Sequence, residues 1–60
     1  MRRPILQVYR DVSGGYRWRL IATNRKVLAD SGESYTRRRD ASRAARGVIV
    51  AMALAKEEQL

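Results

Sequence analysis

With neither cysteine nor histidine among its sixty residues, this chain can form no disulfide and lacks the thiolate and imidazole ligands of structural zinc. A chain of that length buries only about 60% of the surface that its unfolded form exposes. Small scaffolds make up the shortfall with disulfides, a structural metal or oligomerisation. Only the last is open here, so the sequence points to a domain completed by a second copy of itself. Apolar residues make up 45% of the chain. With their regular periodicity, they argue for one folded domain over residues 1–60 rather than a disordered basic tail.

Turn signals divide the first half. Ile5 to Arg10 is a short β-type run, ended by Asp11-Val12-Ser13-Gly14-Gly15, whose glycines can take the positive φ of a hairpin loop. Tyr16 to Ala22 reads as a second strand. Thr23-Asn24-Arg25-Lys26 reads as a tight turn with Asn24 left-handed, leading into a third strand from Lys26 to Asp30. After the loop Ser31-Gly32-Glu33-Ser34-Tyr35, Thr36 is placed to cap a helix from Arg37 to about Glu58. The predicted class is α+β: a three-stranded antiparallel sheet packed by one C-terminal helix, in the order β-β-β-α.

If the first hairpin pairs Val8 with Trp18, Leu6 faces Leu20 and Tyr9 faces Arg17. If Thr23 pairs with Lys26, then Ala22 faces Val27, Ile21 faces Leu28, Leu20 faces Ala29 and Arg19 faces Asp30. Alternation then gives a core face of Leu6, Val8, Tyr16, Trp18, Leu20, Ala22, Val27 and Ala29. The other face carries Ile5, Ile21 and Leu28 among Gln7, Tyr9, Arg17, Arg19 and Asp30. On the helix, a turn of about 100° per residue gathers Ala41, Ala44, Ala45, Val48, Ile49, Met52 and Ala55 into a stripe that matches the core face. The opposite side runs through Arg39, Arg43 and Arg46 and continues through Val50, Ala53 and Leu54. A lone domain would leave apolar rows wet on both sheet and helix. Ile5, Ile21, Leu28, Val50, Ala53 and Leu54 are therefore the expected interface of a two-fold homodimer.

Thirteen Lys+Arg against six Asp+Glu give +7 at pH 7, and both halves of the chain are net positive. Such a charge favours polyanionic partners and solubility and says nothing of fold. Met1-Arg2-Arg3-Pro4 lacks the apolar stretch of a secretory signal, and the apolar run Gly47 to Ala55 is far below the roughly 20 residues of a membrane span. The absence of cysteine fits a reducing compartment. The expectation is a cytoplasmic protein with no membrane partner.

Catalysis has little to work with. There is no imidazole base and no thiolate, and the six carboxylates, Asp11, Asp30, Glu33, Asp40, Glu57 and Glu58, form no spaced pair. The expectation is a non-enzymatic protein with no cofactor and no metal. Arg17-Trp18-Arg19 places two guanidinium groups beside Tyr9 on the open face, where they could reach phosphates and stack on bases. The plainer alternative has Trp18 in the core, Arg17 over Tyr9, and Arg19 neutralised by Asp30. Arg37, Arg38 and Arg39 set three cations at a helix start, against the macrodipole. A bound phosphate would relieve them there, or water simply solvates them.

Val8-Tyr9-Arg10-Asp11, Tyr16-Arg17-Trp18-Arg19-Leu20, Ala22-Thr23-Asn24 and Ser31-Gly32-Glu33-Ser34-Tyr35-Thr36 together resemble the YegP-like family of small proteins of unassigned function. The resemblance implies a three-stranded sheet packed by one helix, with single-repeat members forming homodimers, and it supplies no activity. This chain carries Arg25 where the family turn usually has glycine, and an arginine-rich helix ending in Val48 to Leu54. Two functions stay open. One is a homodimeric interaction module for a protein or other ligand, with its charge serving solubility. The other is a DNA- or RNA-binding dimer, or one for another acidic partner, that contacts phosphates through Arg17, Arg19, Arg37, Arg38, Arg39, Arg43 and Arg46.

Overall fold

Two short loops fold the first half of the chain into a sheet. The computed structural model describes residues 3–60. In it, strands β1 (Ile5–Arg10), β2 (Tyr16–Ile21) and β3 (Val27–Asp30) are followed by helix α1 (Arg38–Leu54). The strands are antiparallel and lie in the order β1-β2-β3. The first register is the expected one, with Leu6 opposite Leu20, Val8 opposite Trp18 and Tyr9 opposite Arg17.

Both loops use the same backbone device. In the first, Asp11 N–H donates to the Gly15 carbonyl at 2.9 Å and Gly14 N–H donates to the Asp11 carbonyl at 3.1 Å. In the second, Ala22 N–H donates to the Lys26 carbonyl at 2.8 Å and Arg25 N–H to the Ala22 carbonyl at 2.9 Å. Each is a type I turn followed by one residue of positive φ, a three-residue hairpin loop. Gly14 occupies that place in the first loop at φ 91°, and Arg25 occupies it in the second at φ 73°. A side chain there crowds its own backbone. The left-handed residue is thus Arg25 and not Asn24, whose carboxamide oxygen accepts instead from the Lys26 N–H at 3.2 Å.

Closing the loop on Ala22 and Lys26, rather than Thr23 and Lys26, displaces the start of β3. Ile21 pairs with Val27 instead of Leu28. Leu28 becomes the extra residue of a β-bulge, after which Leu20 meets Ala29 and Arg19 meets Asp30 as expected. A one-residue slip exchanges faces. Val27, expected in the core, is 54% exposed, whereas Ile21, expected in an exposed apolar row, is buried within the single chain. Ile5 and Leu28 stay exposed.

The core centres on Trp18, which packs with Ala41 and Ala45 and is ringed by Leu6, Val8, Tyr16, Ala29 and Tyr35. Small residues on the helix let it approach the indole closely. The Trp18 Nε1–H is buried and meets no hydrogen-bond acceptor among the described residues. Reciprocal backbone hydrogen bonds of 2.7 Å between Tyr16 and Tyr35 bring the chain back to β2 after the Ser31–Ser34 loop and aim it at α1.

The helix is shorter than its sequence pattern. Arg37, in an extended conformation, precedes its first turn, and no side chain caps it, so Thr36 does not serve as the cap. It ends at Leu54 rather than near Glu58. Carboxylates at Glu57 and Glu58 would oppose the macrodipole of a longer helix. Even so, 17 residues make a rod about 25 Å long, against about 20 Å for the longest strands. α1 lies over β1 and β2, buries only Ala41 and Ala45 completely, and is exposed at every residue from Arg46 onward. Val48, Ile49 and Met52, expected in the core, are therefore 39%, 40% and 65% exposed.

The strained loop position is directly testable. Replacing Arg25→Gly relieves the crowded backbone and loosens the unfolded chain, for a net gain of roughly 0.5–1 kcal/mol. Urea denaturation should show a raised midpoint, and a lowered one would contradict the strain.

Candidate functional site

The first hairpin loop is locked by one carboxylate. Asp11 Oδ1 accepts from the Ser13 N–H at 2.9 Å, the Ser13 hydroxyl at 2.6 Å and the Gly15 N–H at 3.1 Å. Its Oδ2 accepts from Arg17 Nε–H at 2.9 Å. The Ser13 hydroxyl foremost, with the Arg17 guanidinium next, holds this carboxyl well below the usual carboxylate range. Asp11 escaped the sequence reasoning as a node. An aspartate opening a loop with serine two residues on is nevertheless an Asx-turn signal.

Asp11 also redistributes the arginines of the sheet. Arg17 was expected over Tyr9, but it is Arg19 that lies over that ring, 4.7 Å from its centroid, while Arg19 Nε–H donates to Gln7 Oε1 at 2.8 Å. Asp30 is opposite Arg19 in the backbone register yet forms no ion pair with it. Arg38 reaches back from α1, lying 5.0 Å from the Tyr16 ring centroid and donating to the Val8 carbonyl at 3.0 Å. Arg10 approaches the same ring at 5.9 Å. The Tyr35 hydroxyl donates to Glu33 at 2.8 Å, and the bonded carboxylate pushes the phenol up. Together with Trp18 in the core, every aromatic ring is engaged.

The helix presents a different picture. Arg37, Arg39, Arg43 and Arg46 are exposed, and their side chains form no hydrogen bond or ion pair among the described residues. The helical period sets Arg39, Arg43 and Arg46 on the side away from Ala41 and Ala45. Beyond them, Val50, Ala53 and Leu54 continue the same side, all exposed. Of the expected interface set, Ile5 and Leu28 lie on the sheet and Val50, Ala53 and Leu54 on the helix, and Ile21 is withdrawn into the chain.

A shallow cleft between the first loop and the approach to α1 is lined by Ser13, Gly14, Gly15, Ser34, Tyr35 and Thr36. Two of its hydroxyls are already engaged, that of Ser13 donating to Asp11 Oδ1 at 2.6 Å and that of Tyr35 donating to Glu33 Oε1 at 2.8 Å. Among the described residues, no three acidic groups converge as a metal site would need, and no helix is long and apolar enough to cross a membrane.

Residues 11–57, which run from the locking aspartate through β2 and β3 to beyond α1, match the sequence family described as a domain of unknown function (DUF1508). This chain belongs to the DUF1508 family. UPF0339 proteins of Neisseria meningitidis serogroup B and serogroup A are each 42% identical to it over 38 residues. That segment is 63% of this chain and 66% of theirs, just under two thirds of the relatives' length. The NMR solution structure of a protein from Haloferax volcanii matches over 100% of both chains, with a TM-score of 0.85 at 32% identity. The likeness to the YegP-like family is thus confirmed, as is the β-β-β-α fold. The DUF1508 description assigns no biochemical role.

The Asp11 lock makes stability pH-dependent. A carboxyl whose folded pKa lies below its unfolded value stabilises the fold above the unfolded value, near pH 4, and loses that contribution as pH falls further. Asp11→Asn should lower stability at neutral pH and flatten the decline between about pH 5 and 2 in a series of urea melts. Parallel curves for the two proteins would show that the carboxylate is not the source.

Proposed function

We propose that this DUF1508 domain is a non-catalytic interaction module that works as a two-fold homodimer. One observation carries the proposal. The second half of α1, Gly47-Val48-Ile49-Val50-Ala51-Met52-Ala53-Leu54, contains no charged residue, and every one of these residues is exposed. A helical segment apolar all round belongs in a core, and on α1 only Ala41 and Ala45 are buried. Val48, Ile49 and Met52 continue the line of Ala41 and Ala45, while Val50 and Leu54 project from the other side. Single exposed hydrophobes are ordinary, but a contiguous cluster of this kind marks an interaction surface.

A second copy is the partner that supplies the same unmet surface. A two-fold contact is self-complementary, so one pairing of apolar helix ends covers both protomers at once. It also supplies what a chain without disulfide or metal otherwise lacks. Ile5 and Leu28 add exposed apolar surface on the sheet. The dispersed carboxylates, the committed Asp11 and the absence of histidine and cysteine all favour association over chemistry.

Sedimentation equilibrium at micromolar concentration should return twice the chain mass of 6.9 kDa. Leu54→Glu, which buries a charge in the proposed contact, should return the single-chain mass with its far-ultraviolet circular dichroism retained. A monomeric wild type, or a variant still dimeric, would overturn a dimer built on this end of the helix.

A further inference from the structure

We infer that the outer side of the first half of α1 is a contact for the phosphate backbone of duplex DNA, with Arg39, Arg43 and Arg46 as its core and Arg37 at its edge. Residues 37–46 hold five arginines against one carboxylate, Asp40. Of the five, only Arg38 is engaged among the described residues, through Val8 and Tyr16. Helical rise spaces Arg39, Arg43 and Arg46 over about 10 Å. A duplex presents one phosphate per roughly 3.4 Å of axis on each strand, so such a rail matches about three phosphates.

The choice of arginine is itself informative. The chain has eleven arginines and two lysines. Lysine would serve solubility equally and acidic residues better, whereas the planar guanidinium fork fits phosphate oxygens. Stacked duplex is favoured over single strands because no aromatic platform is free. Trp18 is buried, Arg19 covers Tyr9, Arg38 and Arg10 lie against Tyr16, and Tyr35 is held by Glu33. Unstacked bases would find nothing to stack on. An anionic membrane fits less well, since α1 carries no aromatic anchor and the side opposite its arginines is packed against Trp18 through Ala41 and Ala45. The inference goes beyond the homodimer and does not depend on it, because each protomer carries the whole rail.

The test is fluorescence anisotropy of a labelled mixed-sequence DNA duplex titrated with the protein between about 50 and 200 mM salt. Three phosphate contacts predict an affinity that falls about 40-fold over that range, and more steeply if two rails engage together. The triple substitution Arg39→Gln, Arg43→Gln and Arg46→Gln should cut the logarithmic salt slope by about 3 per rail, and lysine at the same positions should restore most of it. Removing charge elsewhere, by Arg25→Gln with Lys26→Gln, should leave the slope in place. The Leu54→Glu monomer should keep the slope of one rail, which separates failure of this contact from failure of the dimer. No duplex binding at the lowest salt would overturn the inference. So would equal slopes for wild type and triple variant, tighter binding of a single strand, or binding of anionic phosphatidylserine vesicles in place of DNA.

Discussion

The indole of Trp18 set against Ala41 and Ala45 is the contact on which the remaining architecture rests. It joins the middle strand to the helix, and the surrounding apolar residues gather around it from β1, β2, β3 and the Tyr35 segment. Because the helix meets the sheet through two alanines, one turn apart, the anchorage is close but short. Every residue of α1 C-terminal to Ala45 is exposed. An isolated helical segment of that length is marginal in water, and most helical stability in proteins comes from packing of an apolar face. The exposed apolar end of α1, residues 47–54, is the surface that the proposed second copy covers.

The arginines divide along the same line. Those that meet the sheet are structural: Arg17 completes the lock around Asp11, Arg19 spans Tyr9 and Gln7, and Arg38 ties the start of α1 to β1. Guanidinium groups lying over aromatic rings and bonded to neighbours are part of a small protein's packing as much as of its charge. On the helix, Arg39, Arg43 and Arg46 have no such partners among the described residues. Net charge alone does not distinguish these populations, and the folded geometry does.

The order of elements and the first register were legible in the sequence because Asp11-Val12-Ser13-Gly14-Gly15 announces its positive-φ residue with glycine. The second loop hides the same geometry behind Arg25, so the left-handed residue is expected one position early, at Asn24, and nothing in the sequence announces the bulge at Leu28. Alternation correctly assigned Arg17 and Arg19 to one face, but it gives directions and not partners. The capture of Arg17 by Asp11, and of Tyr9 by Arg19 across a diagonal, needed coordinates. The helical stripe through Val48, Ile49 and Met52 was likewise legible, but its burial depended on how far the sheet extends beneath α1, which periodicity does not encode.

Amide hydrogen exchange, followed by NMR as the protein is diluted, tests most directly whether a second copy completes the helix. Amides of the half anchored on Trp18, around Ala45, should keep their protection at every concentration at which the domain is folded. Those of Val50 to Leu54 should be protected at high concentration and lose protection on dilution, because their partner is another chain. Rapid exchange of Val50 to Leu54 at all concentrations, or protection that ignores dilution, would contradict a helix end completed by self-association.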